Sequence, residues 1–404
     1  MAFDIVIIGA GPAGLSVARA LSGSDLRIAV VEKQPEAAIA DPAFDGREIA
    51  LTHRSVVSLE ALDAWSRIPE EEKSPLREAR VENGTSKYFL GFTTGRREAR
   101  LGLEGLGYLV PNHLIRRALY ESVVAQPQIE RICGVGVTTL RTTADGATVV
   151  LSDGRELEAK LVIAADTRFS DIRRRVGISA SMRDFGKVML VCRMEHELSH
   201  EQIATEWFDY GQTIAILPLN GNVSSAVLTL PARDIDRMMA LEPDAFSTEM
   251  TERMRNRLGT MRLISTRHAY PLVAVYASRF YGERLALIGD AAVGMHPVTA
   301  HGFNFGLLGA VTLADAVRAA VAKGADIGAP AVLRRYDLLH RRATLPLYLA
   351  TNTTALLYTD SRMPARVLRE AALRVGNVLP LFRKAVVAHL TDIGPPDRLL
   401  PFRL

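Results

Sequence analysis

Cysteine is almost absent: Cys133 and Cys192 are the only two in 404 residues. Two thiols build neither a disulfide framework nor a four-ligand zinc site, so a reducing compartment is the expected setting and no metal is expected. A charge excess of one sign is missing as well. The formal net charge is +4, which argues against nucleic acid as the main partner. The opening, MAFDIVIIGAGPAGL, has no basic stretch ahead of its apolar run and no small-residue cleavage site, so it reads as a first strand rather than a leader. Long hydrophobic runs are lacking too. The uncharged stretch between Asp290 and Asp315 has the length of a span, but His296, Pro297, His301, Asn304 and four glycines interrupt it. The stretch between Arg342 and Asp360 carries Thr351, Asn352, Thr353 and Thr354 at its middle. Neither reads as a membrane helix. No Ser/His/Asp set, no paired carboxylates and no second GxGxxG stand out. What remains is an ordinary globular composition, 48% hydrophobic and 23% charged, long enough for two to three domains.

The most informative segment is the first. Phe3 to Ile8 is a continuous apolar run, as a strand buried on both faces of a sheet should be. Gly9-Ala10-Gly11-Pro12-Ala13-Gly14 follows, then helical spacing from Leu15 to Leu21, then a second apolar run, Arg27 to Val31, ending at Glu32. This order is the dinucleotide-binding fingerprint. Gly9 permits the tight turn, Gly11 lets backbone approach a pyrophosphate, and Gly14 lets the helix pack close to the strand. The helix start offers free N–H groups to phosphate, with Pro12 and Ala13 in its first turn. Glu32, followed by Lys33, is placed to accept the hydroxyls of an adenosine ribose.

Beyond this unit the pattern changes. Ile129 to Asp166 alternates short strands with turns at Asp145-Gly146 and Asp153-Gly154, predicting a small antiparallel meander that ends in a buried strand, Leu161 to Ala165, capped by Asp166. Four further strands are predicted at Lys187–Met194, Ile203–Phe208, Thr213–Leu217 and Ser224–Thr229, then one polar helix from Ile235 to Leu258. A last apolar strand, Leu285 to Ile288, runs into Gly289-Asp290, with a loop and a helix starting near Gly302 behind it. Three strand ends thus carry an acid or a glycine turn. The first suits an ADP moiety. The other two suit the remainder of a long flavin dinucleotide: Asp166 its ribityl hydroxyls, Gly289 its phosphates, and the helix start near Gly302 the electron-rich edge of the isoalloxazine. Residues 331–404 carry twelve Lys and Arg against five Asp and Glu. That tail suits an anionic lipid surface or an acidic partner protein, and it equally fits the solvated face of C-terminal helices.

These motifs together resemble the FAD-dependent aromatic hydroxylases, the superfamily that includes p-hydroxybenzoate hydroxylase. The resemblance rests on GAGPAGL, on Ala165-Asp166 with Ser170 and Arg173 behind it, and on Leu287-Ile288-Gly289-Asp290-Ala291-Ala292. Gly46-Arg47-Glu48-Ile49-Ala50-Leu51-Thr52 and Met295-His296-Pro297 through Gly302-Phe303-Asn304-Phe305-Gly306 resemble elements of the ubiquinone-biosynthesis ring hydroxylases, the demethoxyubiquinol hydroxylases among them. Residues 3–345 carry the likeness. Five departures are expected beside the flavin: Thr167 in place of a glycine after Asp166, Ala300 in place of a glycine, His301 in place of a glutamine, and Phe303 and Phe305 in place of two leucines.

The resemblance implies an α/β fold: a Rossmann-like FAD-binding domain of the p-hydroxybenzoate hydroxylase type, an inserted antiparallel β-sheet substrate domain, and a helical C-terminus. The expected boundaries are 1–75, 100–182 and 276–330 for FAD, 76–99 and 183–275 for substrate, and 331–404 for the helices. It implies FAD as cofactor, NAD(P)H as a transient co-substrate, and transfer of one oxygen atom from O2, through a C4a-hydroperoxyflavin, to the ring of a polyprenylated phenol or quinol. Other ubiquinone-biosynthesis proteins are the implied partners, and the implied place is the cytoplasm, at the inner face of a membrane. Arg47 is implied at the pyrophosphate. Asn112 is expected either at the flavin or as the cap of the helix that follows it. Asp290, Gly302, Phe303 and Asn304 are implied at the flavin, and Pro297, His296 and His301 are the near-flavin candidates for tuning the chemistry. Hydroxylation of small soluble phenols and a flavin-binding scaffold without turnover are the alternatives.

Overall fold

In the computed structural model, residues 1–359 are described, apart from 87, 96–101, 104 and 210, together with the single residues 369, 387 and 391. Most basic residues of the tail, from Arg362 onward with Arg369 excepted, lie outside the described residues.

The first strand, Ala2–Ile8, forms because its apolar side chains have both sheet faces to fill. Ile5, Val6 and Ile7 have no exposed surface, and each is worth about 1.5–3 kcal/mol of burial. The strand pairs in parallel with Ile28–Glu32 on one side and Glu156–Ala164 on the other. Leu285–Leu287 adds a further parallel strand beside Glu156–Ala164. The carboxyl ends of these strands therefore lie along one edge of an eight-stranded sheet, where α/β folds bind ligands. Ile129–Cys133 is not part of the meander predicted for it. It runs parallel to Ile28–Glu32, because helix Asn112–Val124 brings the chain across before the strand begins. The antiparallel meander is Val137–Thr142, Ala147–Leu151 and Glu156–Ala164.

A nine-stranded sheet carries the predicted strands of residues 187–230, extended to Ala180–His196, Ile203–Asp209, Gln212–Pro218 and Val223–Leu230. It is mostly antiparallel, with one parallel pairing between Ile203–Asp209 and Glu78–Asn83. Leu190, Cys192, Met194, Trp207, Ile214 and Leu228 cover its outer face and form a separate core under two helices, Ala232–Ala240 and Pro243–Arg253. One helix was expected here. Pro243 splits it: Glu242 before it is extended at ψ 153°, and proline takes the first position of the second helix. A small sheet of Glu48–Leu51, Gly107–Pro111 and Ser74–Leu76 escaped the sequence reading.

Helix Gly302–Val321 packs against helix Pro12–Leu21 on one side and helix Pro330–Thr359 on the other. It is the one helix among the described residues long and apolar enough to cross a membrane. Twelve of its 20 residues are buried in the protein. Arg341 of the last helix donates to the Ala277 and Ser278 carbonyls at 3.0 Å and lies over the rings of Tyr276 and Phe280, so its role is packing.

Candidate active site

A cavity of about 950 Å³ runs from the glycine loop to the inner face of the nine-stranded sheet. Gly9 sits at φ +108°, and a Cβ there would meet the Ala165 carbonyl oxygen at 2.5 Å. A Cβ on Gly14 would strike the Gly9 carbonyl. These two glycines let strand and helix close on each other. At Gly11 a Cβ would meet nothing within 4 Å. The space beside Gly11 is open cavity, in front of the uncapped start of helix Pro12–Leu21. That is where backbone N–H groups and the helix dipole favour an anion.

Glu32 lines the cavity, and its two carboxylate oxygens accept the Ala10 N–H at 2.8 Å and the Gln34 N–H at 3.0 Å. It clamps the glycine loop while keeping acceptor capacity for a ligand. Lys33, exposed, lines the cavity beside it.

Arg47 also lines the cavity. It donates through Nε and Nη2 to Asp45 at 3.1 and 2.6 Å and lies over the Tyr270 ring. Asn112 lines the cavity without capping its helix: its side-chain amide donates to Asp45 at 2.7 Å. Tyr270 donates its hydroxyl to the Asp45 carbonyl. Burial works against the Asp45 charge, but Arg47 and the Asn112 amide outweigh it and hold the carboxyl below its usual range. Asp45, which carried no sequence signal, thus organises both expected residues. Arg116 also lines this end of the cavity, with no ion pair or hydrogen bond among the described residues. Its signal was present in the sequence: it stands one helical turn after Asn112 and therefore shares its face.

Asp166 faces the cavity with Oδ1 buried and unpartnered, and burial raises its carboxyl above the ordinary range against the opposing Ser170 hydroxyl and helix N–H groups. Thr167 avoids positive φ, as its lack of glycine freedom requires. Behind this turn Arg173 is almost wholly buried. It donates to the Ala291 and Arg168 carbonyls at 2.8 and 3.1 Å and so ties two of the cavity loops together. Gly289, at φ +58°, lies so close to helix Pro12–Leu21 that a Cβ would sit 2.8 Å from the Ala13 Cβ. Asp290 is ion-paired with Arg168, Nη2 to Oδ2 3.0 Å.

Pro297, Gly302, Phe303 and Gly306 line the cavity, whereas His301 and Asn304 are buried but outside the lining. Helical period explains the split: 302, 303, 306 and 307 share a face, and 301, 304 and 305 turn away from it. Asn304 instead accepts the Thr52 N–H at 3.3 Å and donates to the Ala50 carbonyl at 2.8 Å, fastening the helix to strand Glu48–Leu51. His301 packs against Phe305. His296 does line the cavity. Its Nδ1 accepts the Val298 N–H, its ring meets Phe185 edge-on, and its buried Nε2 has no partner. Burial pushes its pKa down to about 4.

The cavity fits a long dinucleotide. It offers an open cradle at Gly11, an unpartnered carboxylate oxygen at Asp166, and apolar side chains of the sheet in the same lining as Pro297. Comparison with known proteins gives the same picture. The FAD-binding-domain family matches residues 2–343. The chain is 45% identical over 96% of its length to ubiquinone hydroxylase UbiM of Neisseria meningitidis, covering 84% of that protein. It is 32% identical over 98% of its length to ubiquinone hydroxylase UbiL of Rhodospirillum rubrum, covering 92% of that protein. It is 26% identical to the 3-demethoxyubiquinol 3-hydroxylase of Escherichia coli, over 92% of this chain and 93% of that one. Among solved structures, PqsL of Pseudomonas aeruginosa has the same fold, with a TM-score of 0.75 at 21% identity, covering 91% of this chain and all of that one.

Proposed function

The chain belongs to the FAD-binding-domain family of flavin-dependent hydroxylases, in its ubiquinone-hydroxylase branch, and from this we propose that it hydroxylates the aromatic ring of a polyprenylated ubiquinone precursor such as demethoxyubiquinol, using NAD(P)H and O2. The observation that carries the reading is one continuous cavity, with a phosphate cradle at Gly11 and the apolar face of a sheet at the other end. Bound FAD supplies the redox chemistry, taking electrons from the nicotinamide and delivering activated oxygen.

The chain's residues hold, orient and exclude. In this reading, Gly9, Gly11, Pro12, Ala13 and Gly14 seat the pyrophosphate, with Arg47 and Arg116 beside it. Glu32 and Lys33 hold the adenosine ribose, and Asp166 takes ribityl hydroxyls. Gly289 and Gly302 bring backbone against the flavin, and Pro297 and Phe303 set its ring edge. Met189, Val191, Leu217 and Val227 on the sheet supply apolar contact to the ring and prenyl chain. Residues 1–75, 100–182 and 276–330 are proposed to serve the cofactor, and 76–99 with 183–275 the substrate. The basic tail, 331–404, is the proposed contact to the inner face of the membrane and to other biosynthetic proteins, because the substrate is insoluble.

Purified protein with NAD(P)H, a short-chain demethoxyquinol and isotopically labelled O2 tests the reading. One labelled oxygen in the quinol product is the expected result. Uncoupled NAD(P)H consumption with no oxygenated quinol would turn the reading toward a soluble phenol, and no turnover at all toward a scaffold.

A further inference from the structure

One ionisable side chain on the sheet wall of the cavity has no partner. Glu206, on strand Ile203–Asp209, stands opposite Ala215, which pairs with Val227 and then Val191; all four line the cavity. The row leads to the Arg47 loop, since a Cβ on Gly46 would lie 2.8 Å from Val191. The Glu206 carboxyl makes no hydrogen bond or ion pair among the described residues. Its same-face neighbours on the flanking strands are uncharged: Val81 and Asn83 on one side, Thr213, Ala215 and Leu217 on the other. Among the described residues, the last helix contributes Ala355 to the lining. Of the other ionisable groups of the cavity, His296 Nδ1 is engaged by the Val298 N–H, Tyr270 by Asp45, and Arg168 and Asp290 by each other, while Arg116 has no ion pair among the described residues and Asp166 Oδ1 no partner. Among the described residues no charge offsets the desolvation of Glu206, and desolvation alone raises this half-buried carboxyl to about 8. An unpaired carboxyl in such a place costs stability, which a role with a ligand would explain.

We propose that Glu206 receives a ring hydroxyl of the substrate, accepting its hydrogen bond and taking up its proton while the new carbon–oxygen bond forms. This rests on the ring-hydroxylation reading above. The hydroxyl O–H bond breaks with its electron pair left on oxygen, which enriches the ortho and para carbons, and the carboxylate becomes a carboxylic acid. The ring hydrogen then leaves as a proton to solvent water, aromaticity returns, Glu206 hands its proton back to the phenol oxygen, and the second oxygen atom of O2 departs as water. The carboxylate is regenerated, and the net change is hydroxylation by O2 and NAD(P)H.

The test compares wild-type holoenzyme with Glu206→Gln, Glu206→Asp and Glu206→Leu on a short-chain demethoxyquinol from about pH 6 to about pH 9. Product is read by mass spectrometry, and binding by quenching of flavin fluorescence. Wild-type kcat/KM, which reports the free enzyme, should rise through a half-maximal point near pH 8 toward a plateau at the alkaline end of the range. Glu206→Gln should lose that limb and about tenfold in kcat/KM at the plateau with its flavin content unchanged, and Glu206→Asp should keep the limb. Glu206→Leu should raise Tm by about 2 °C or more while losing activity, an outcome that a structural role would not produce. A Glu206→Gln profile matching wild type within about twofold overturns the proposal. If no form oxygenates the quinol, binding of a phenol decides. Binding weakened about tenfold in Glu206→Gln keeps the contact while the quinol reading falls, and unchanged binding overturns the contact too.

Discussion

His296 is a histidine held neutral at the cavity wall. It is only 7% exposed, and burial lowers its pKa from the ordinary 6.5 to about 4. Because the folded value lies below the unfolded one, the penalty is absent above pH 6.5 and grows as pH falls toward 4. The accumulated loss is about 3 kcal/mol. A His296→Gln protein should lack this acid-side loss, so its unfolding free energy should fall less than wild type's between pH 7 and pH 4. Parallel pH curves for the two proteins would contradict the account. The same neutrality keeps a positive charge away from this part of the cavity at physiological pH. Glu206 has the opposite sign: its stability penalty appears as pH rises from the ordinary carboxyl value toward 8.

At the scale of elements, the loop from Pro297 to Gly302 holds a strained residue. Ala300 sits at φ +53°, with its N–H bonded to the Pro297 carbonyl at 2.7 Å. A left-handed alanine costs roughly 1 kcal/mol over glycine. Ala300→Gly should therefore raise the denaturant midpoint by the equivalent of about 1 kcal/mol at unchanged m-value, and a lowered midpoint would contradict the strain. The elements most legible in the sequence were those specified locally. Strand, glycine turn, helix and Glu32 lie within one short stretch, and their spacing dictates their geometry. The break at Pro243 was missed, although proline's missing N–H is a local fact, because the helical periodicity on either side concealed it. Glu206 and Asp45 were not legible. What makes them matter is which sheet face or buried pair they join, and pairings between distant segments set that. Asn304 matched a motif yet turned inward, because a motif does not fix which side of a helix meets the cavity.

Across the whole molecule, segments near residues 9–14, 166 and 289 meet because parallel pairing places Ala2–Ile8 beside Glu156–Ala164, and Leu285–Leu287 beyond it. The nine-stranded sheet then closes the cavity with one face while its other face holds a separate core. The glycine loop and the face of the second sheet thus line a single space. Gly11→Val tests that arrangement most directly. Its added side chain meets no protein atom at Cβ, so the fold should persist by far-UV circular dichroism, whereas Gly14→Val, which strikes the Gly9 carbonyl, should unfold the loop. Flavin content of the purified proteins is the measurement. The account predicts yellow wild-type protein with about one FAD per chain and folded, colourless Gly11→Val; a folded Gly11→Val that keeps its full flavin would contradict it.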